Sequence, residues 1–302
     1  MKIYDLLILG AGPAGITAAV YSARKKMDAL VISEDIGGQT AWSGDIENYT
    51  GYQFITGPEL TSKFQEHMKA FGIKVNTFEK ATDIKKQDDG LIKTKTDKGE
   101  YLSKTLIVAT GKRSRPLGVE GENEFKNKGV TYCATCDGPL FKNKVVAIVG
   151  GGNSGLEATL QMMKICPKVY LIDVAESLKA DAVMVEKAKS ASNVEIWSNS
   201  KVKKVSGDKF VKHIEVQRQG KTHKLDVEGV FVEIGLEPNS EFAGILDKNE
   251  AGEIKVDCHN RTNVEAIFAA GDVTDVPEKQ IIIACGEGSK ACLSASKYLA
   301  TH

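Results

Sequence analysis

Two cysteines three positions apart, Cys133 and Cys136 in the stretch TYCATCDGPL, are followed at once by a carboxylate, Asp137. Such a pair can ligate a metal, staple a loop or carry electrons as a reversible disulfide. A structural zinc site takes four ligands, and the remaining sulfurs, Cys166, Cys258, Cys285 and Cys292, form no second pair at that spacing, so no metal is expected. Six cysteines in 302 residues are too sparse for a secreted disulfide scaffold, and a reducing compartment keeps ordinary thiols reduced. Electron transfer fits best. A Cys-x-x-Cys closing at a helix N-terminus lowers a thiol pKa, and the thiolate is the reactive species. A carboxylate beside a thiolate raises the sulfur's pKa when both are charged, so Asp137 is useful as a proton carrier. Cys166 and Cys292 are expected to be small, buried and apolar in behaviour.

The second set of chemical residues is glycine. Gly10, Gly12 and Gly15 have the spacing GxGxxG, and so do Gly150, Gly152 and Gly155. One copy is weak evidence for a dinucleotide. Two copies, each after a predicted strand and opening a predicted helix, are strong. The first glycine makes the turn, the second lets the backbone approach a pyrophosphate, and the third lets helix and strand pack closely. The helix N-terminus supplies unpaired N–H groups and a partial positive charge. A carboxylate about twenty residues on should accept from a ribose hydroxyl, and Glu34 follows Gly15 by nineteen residues while Asp173 follows Gly155 by eighteen. Asp173 also repels the extra phosphate of NADPH, and DVAESLKADAV contains no arginine, so NADH is expected to be preferred.

The elements that position these residues can be read from hydrophobic period. KIYDLLILG, GITAAVYSARKKM and DALVIS read as β-α-β, and KVVAIVG, GLEATLQMMKIC and KVYLIDV repeat the unit. Short alternating segments between Ile84 and Leu106, and from Val202 to Val232, read as antiparallel meanders inserted in each unit. Turn-rich stretches at 109–118 and 235–242 read as crossovers. The fold class expected is therefore α/β, with two Rossmann-like three-layer dinucleotide-binding domains, each carrying an antiparallel β-meander, the second inserted in the first. The boundaries expected are 1–115, 116–240 and 241–302.

Bulk properties narrow the function class. Forty basic and forty acidic side chains cancel, which argues against nucleic acid or an anionic membrane as partner. YDLLILGAGPAGITAAV is interrupted by Asp5 and three glycines, with no cationic segment before it, so neither a signal peptide nor a membrane span fits and a cytoplasmic location is expected. The Asn-x-Thr triplets at Asn48 and Asn260 are then read as local structure.

GAGPAG, IGGQT (36–40), IENYTGY (46–52), VATG (108–111), YCATCDGPL and IFAAGDV (267–273), together with VGGGNSG and KQIIIACGEGSKA, carry a resemblance. From about Tyr4 to Tyr298 the chain resembles the low-molecular-weight thioredoxin reductases and the flavoprotein part of the F component of bacterial alkyl hydroperoxide reductase. The resemblance implies FAD on the first cradle, with Gly10, Gly12, Pro13, Ala14, Gly15 and Glu34 joined by Gly38, Gln39, Asn48 and Gly111. It implies that Gly271 also binds FAD, that Asp272 meets the ribityl chain, and that Lys279, Gln280 and Ile281 begin a helix aimed at the flavin's pyrimidine edge. Without the family, Asp272 would read as a helix cap. The resemblance places the nicotinamide nucleotide on Gly150, Gly152, Asn153, Ser154, Glu157, Asp173 and Gly235.

The family's cycle runs from nicotinamide nucleotide through FAD to the disulfide. It implies that Cys136 lies nearer the flavin, that Cys133 attacks the partner's disulfide, and that Asp137 protonates a nascent thiolate. Alternation between two domain arrangements is implied, with hinges at 112–116 and 236–242, and so is a homodimer. Thioredoxin reductases that use NADPH carry an arginine-rich segment where this chain has Asp173 and AESLKAD, as the NADH-using peroxide-reductase flavoproteins do. Those flavoproteins carry a fused N-terminal thioredoxin-like domain. Here the acceptor is expected to be a separate protein: a thioredoxin, a glutaredoxin-like protein or a relative of that N-terminal domain. The rival readings are an NADH oxidase with an incidental disulfide and a non-catalytic flavin redox sensor.

Overall fold

Leu6, Leu7, Ile8 and Leu9 are buried without alternation, the pattern of a strand covered on both faces. In the computed structural model, which describes residues 2–43 and 45–302, strand Ile3–Leu9 pairs in parallel with Ala29–Ser33 on one side and Glu100–Val108 on the other. Lys74–Thr77 extends the sheet beyond Ala29–Ser33, and Ile267–Ala269 joins the far end of Glu100–Val108, both in parallel. The near end of Glu100–Val108 stays paired with Ile3–Leu9 on one edge and on the other pairs antiparallel with Ile92–Thr96, which in turn pairs with Ala81–Lys86. One strand thus serves both the dinucleotide-type sheet and the meander.

The second unit repeats the parallel sheet but keeps its meander as a separate three-stranded sheet. Val145–Val149 is the centre of a parallel sheet ordered Val130–Thr131, Gly229–Val232, Val145–Val149, Lys168–Ile172, Val194–Trp197. Its meander is Ser200–Gly207, Val211–Arg218 and Lys221–Asp226. The chain divides into a first unit, 1–113 with 237–302, and a second, 114–236. These changeovers precede the positions 116 and 241 read from turn residues. Asn239 donates its N–H to Gly111 O at 2.9 Å and so belongs with the first unit, while Arg115 donates to Gly235 O at 2.9 Å within the second.

Helix starts are set by the glycines. Gly10 has φ 104° and Gly150 φ 128°, angles that turn the chain sharply off the strand and into the helix. A Cβ on Gly10 would lie 2.3 Å from Ala109 O, and one on Gly15 would lie 1.9 Å from Gly10 O. The second unit repeats this with Gly150 at 2.1 Å from Glu233 O and Gly155 at 1.8 Å from Gly150 O. Helices Pro13–Arg24 and Asn153–Met162 are therefore locked onto their strands by absent side chains.

The last helix, Ile281–Thr301, crosses Pro13–Arg24 where both carry small residues, and a Cβ on Gly288 would stand 2.0 Å from Ala14 O. Asn260, fully buried, donates to Ala269 O at 2.9 Å and to the Glu287 carboxylate, tying strand Ile267–Ala269 to this helix. That triplet is thus structural. The helix begins at Ile281 with Gln280 as its cap, so Lys279 lies before it and Asp272 lies in the turn after the strand rather than at a helix cap. Gly288→Ala is expected to lower stability by about 2–4 kcal/mol, because backbone cannot move aside. Urea unfolding measures it, and a loss below about 0.5 kcal/mol would contradict this packing.

Candidate functional site

In the first unit the carboxyl ends of the parallel strands open into a cavity of about 570 Å³, bounded by Leu9, Ile32, Ser33, Ala109 and Ala270. Open α/β sheets take ligands at this edge. Two helix N-termini face it, through Pro13 and Ala14 on one side and Ile281 and Ala284 on the other, and neither has a side-chain cap or an acidic residue in its first turn. Their free N–H groups and positive dipole ends are left for an anion.

The middle glycines are the informative ones. Gly12 has φ −78° and Gly152 φ −87°, ordinary values for any residue, and a Cβ on either would meet nothing within 4 Å. Neither backbone strain nor internal packing explains a glycine there. Close approach of a ligand does, and both helix starts, uncapped, present N–H groups beside the open space.

The sequence-predicted residues of the first cradle come together. Gly10, Gly12, Pro13, Ala14 and Glu34 line the cavity, as do Gly38, Gln39, Asn48 and Gly111, and Gly271, Asp272, Lys279, Gln280 and Ile281 complete it. Gly15 lies behind, against Gly10 O. Gln39 Nε2 donates to Lys112 O at 3.0 Å, and Asn48 Nδ2 donates to Gln280 Oε1 at 3.0 Å, so two distant segments are fixed across the opening. Glu34 is exposed and pairs with Lys80 at 3.3 Å. Asp272 is pushed up by burial, with Lys279 and Lys112 pulling it back.

Sequence reasoning missed the group that holds those lysines. Glu253 pairs with Lys112 at 2.8 Å and Lys279 at 3.1 Å, all three largely shielded from water. Burial alone would raise its pKa. Hydrogen bonds from Lys112, Asn249 and Lys279 outweigh that and hold Glu253 at about 2. No motif marks Glu253, which reaches the lysines only through the tertiary fold.

In the second unit the Asp173 carboxylate is held by two backbone groups, accepting from Gly151 N–H and, at 2.6 Å, from Ala175 N–H. Asn153 Oδ1 accepts from Asp181 N–H at 2.9 Å. Cys133 is disulfide-bonded, while Cys166, Cys258, Cys285 and Cys292 are free thiols. The side chain of Cys136 lies outside the described residues. Burial pushes Cys166 up to about 11 and Cys292 up to about 12, which keeps both as inert thiols.

The helix Ala134–Asp137 begins immediately after Cys133, and Asp137 donates its N–H to Cys133 O at 3.1 Å. Thr131 Oγ1 donates to the Asp137 carboxylate, so this acid is held within the redox loop. Gln161 Nε2 donates to Ala134 O at 3.3 Å, which seats the loop on the helix that starts at the second cradle. Glu233, also missed, is pushed up to about 7 chiefly by burial. Its signal was legible: it is the first charged residue after the wholly buried strand Gly229–Val232, at the ligand-binding edge of a parallel sheet. Among the described residues no three His, Cys, Asp or Glu side chains converge as a metal site, and no helix is long and apolar enough to cross a membrane.

The family model described as "Pyridine nucleotide-disulphide oxidoreductase" matches residues 4–288. The F component of alkyl hydroperoxide reductase from Staphylococcus aureus (strain MSSA476) is 45% identical over 300 residues, covering 98% of this chain and 59% of that protein. A protein named NADH dehydrogenase from Ferdinandcohnia aciditolerans is 42% identical over 300 residues, covering 98% of this chain and 57% of its own. The chain thus spans less than two thirds of these relatives. Thioredoxin reductase of Lactococcus lactis superposes with a TM-score of 0.86 at 34% identity, covering 99% of this chain and 100% of that one. Thioredoxin reductase of T. acidophilum gives 0.83 at 35% identity, covering 98% and 99%.

Glu253→Gln is expected to cost the folded protein about 1–3 kcal/mol at neutral pH, because two shielded lysines lose their counter-charge. A carboxyl whose folded pKa is depressed stabilises fully above its ordinary value of 4.5, and that contribution is lost as pH falls toward about 2. The stability difference between the two proteins should therefore shrink over that window. Urea titrations at several pH values measure it, and a difference that stays constant from about pH 7 to about pH 2.5 would contradict the assignment.

Proposed function

Because the chain belongs to the pyridine nucleotide-disulphide oxidoreductase family, we propose that it is an FAD-dependent protein-disulfide reductase. It takes electrons from a reduced nicotinamide nucleotide and delivers them, through the Cys133 disulfide, to the disulfide of a small thioredoxin-like protein. One observation carries this reading. A disulfide-bonded Cys133 opens a helix seated, through Gln161, on the very helix whose uncapped start forms the second glycine cradle. Electron donor site and sulfur acceptor thus belong to one unit.

The first cavity fits FAD by two features of its own: the open space at Gly12 and the two uncapped helix N-termini. Gly12 and Pro13 would hold its pyrophosphate, Glu34 a ribose, and Asp272 with Gln280 the flavin portion. When bound there, FAD supplies two-electron chemistry between a hydride donor and a disulfide.

Opening the disulfide takes two electrons and, for two neutral thiols, two protons. Asp137 is held by Thr131 within the redox loop and is positioned to hold one such proton on its carboxylate. The thiolate at Cys133 then attacks the partner's disulfide, and the resulting mixed disulfide is resolved by Cys136, leaving the partner reduced and the pair oxidised again. Asp173 supports NADH as the donor. Its carboxylate is fixed by the Gly151 and Ala175 N–H groups and cannot swing away from a 2′-phosphate, and no arginine in 173–183 offsets it.

Steady-state reduction of a thioredoxin-like substrate is expected to show kcat/KM at least about tenfold higher with NADH than with NADPH, and an NADPH advantage would contradict the role of Asp173. The reduced Cys136→Ser variant, mixed with a panel of small redox proteins, should accumulate a covalent mixed disulfide through Cys133. Mass spectrometry identifies the partner. Unimpaired turnover by that variant with a protein disulfide would sink the proposal.

A further inference from the structure

Glu122 has no part in the route above, yet it is only 2% exposed and its carboxylate gathers three donors. Oε1 accepts from Leu117 N–H at 2.7 Å, and Oε2 accepts from Gly118 N–H at 2.7 Å. Tyr132 donates its hydroxyl to Oε1 at 2.6 Å. The first two donors belong to the segment that enters the second unit at Ser114, and the third stands directly before Cys133. Thr131, one residue earlier, donates to Asp137 instead. The two side chains before Cys133 are thus held by two carboxylates, one inside the redox loop and one outside it. Burial, then the bond to Glu122 and its charge, push Tyr132 above the ordinary phenol value, which keeps the hydroxyl a donor.

Cys133 is disulfide-bonded, and a disulfide restricts the backbone that carries it. A hydrogen bond between groups already held in place loses less entropy on forming than one whose donor must first be ordered. The bond from Tyr132 to Glu122 is therefore worth more while the disulfide is closed than after it opens. Linkage makes the preference mutual, so the bond favours the closed disulfide by the same amount. A carboxylate that loses one of three donors is also held less firmly, and so are the two N–H groups bonded to it. We propose that Glu122 is a positioning residue that acts through Tyr132 on Cys133, favours the disulfide over the dithiol, and passes the redox state of the loop to Leu117 and Gly118 at the entry to the second unit. The inference rests on reading the Cys133 disulfide as one that cycles. Its opening takes two electrons and two protons and yields two thiols; in the test below dithiothreitol supplies both and closes to its own cyclic disulfide.

The test uses the FAD-loaded protein, free of oxygen, in dithiothreitol redox buffers, with Cys133 alkylation and amide exchange at 117–118 both read by peptide mass spectrometry. Tyr132→Phe removes only the hydroxyl and leaves Glu122 its two backbone donors. Its disulfide–dithiol equilibrium is expected to shift at least about threefold toward the dithiol. In the unsubstituted protein the Leu117 and Gly118 N–H groups should exchange at least about fivefold more slowly in the disulfide form than in the dithiol form, a ratio that should fall below about twofold in Tyr132→Phe. An equilibrium unmoved by Tyr132→Phe, with both redox forms destabilised alike, marks the bond as structural only and overturns the proposal. Exchange at 117–118 that is the same in both redox forms of the unsubstituted protein also overturns it. Either result leaves the electron route standing. A Cys133 disulfide that neither dithiothreitol nor NADH opens overturns the route and the proposal together.

Discussion

The structure depends on a contact made by backbone alone: the start of a helix pressed against the end of the strand that precedes it. In each unit the third glycine of the motif touches the carbonyl of the first, at a spacing where an added Cβ would stand 1.9 Å away in the first unit and 1.8 Å in the second. That contact aims uncapped N–H groups and a helix dipole at the carboxyl edge of a parallel sheet. The helices then have no side-chain partner for their N-terminal groups. Open space remains at the middle glycine, and a bound anion completes what the protein leaves unsatisfied.

The two units use this device differently. In the first, a second helix, Ile281–Thr301, brings its own uncapped start to the same cavity, and the Gly288 contact with Ala14 O fixes the distance between the two. Positive side chains are added at the rim but are held by Glu253, so their position is set before any ligand arrives. In the second, the space beside the cradle is shared with a short helix that begins at a disulfide-bonded cysteine. Burial pushes Glu233, at the end of strand Gly229–Val232 in this unit, up to about 7.

Much of this is legible in the sequence, because glycine spacing and Cys-x-x-Cys spacing express constraints that are local. Gly10 and Gly150 need a turn, Gly15 and Gly155 need contact with a backbone atom a few residues away, and the alternating hydrophobic segments mark strands of each kind. What escapes is tertiary. The resemblance puts Lys279 at the start of the last helix, yet that helix begins at Ile281, and the Lys279 side chain meets Thr274 O and Glu253. Glu253 and Glu233 carry no motif. Glu253 meets Lys112 from far along the chain, a separation that no local pattern spans. The changeovers between units fall inside the turn-rich stretches 109–118 and 235–242, where hydrogen bonds of Asn239 and Arg115 assign the flanking residues.

The central claim is that electrons from a reduced nicotinamide nucleotide reach the sulfurs of the redox loop. Anaerobic titration of the FAD-loaded protein with NADH, quenched with an alkylating agent and read by peptide mass spectrometry, measures this directly. The account predicts loss of the flavin absorbance together with new alkylation at Cys133 and Cys136, and no change at Cys166 or Cys292. Bleaching of the flavin while Cys133 stays in its disulfide would contradict it.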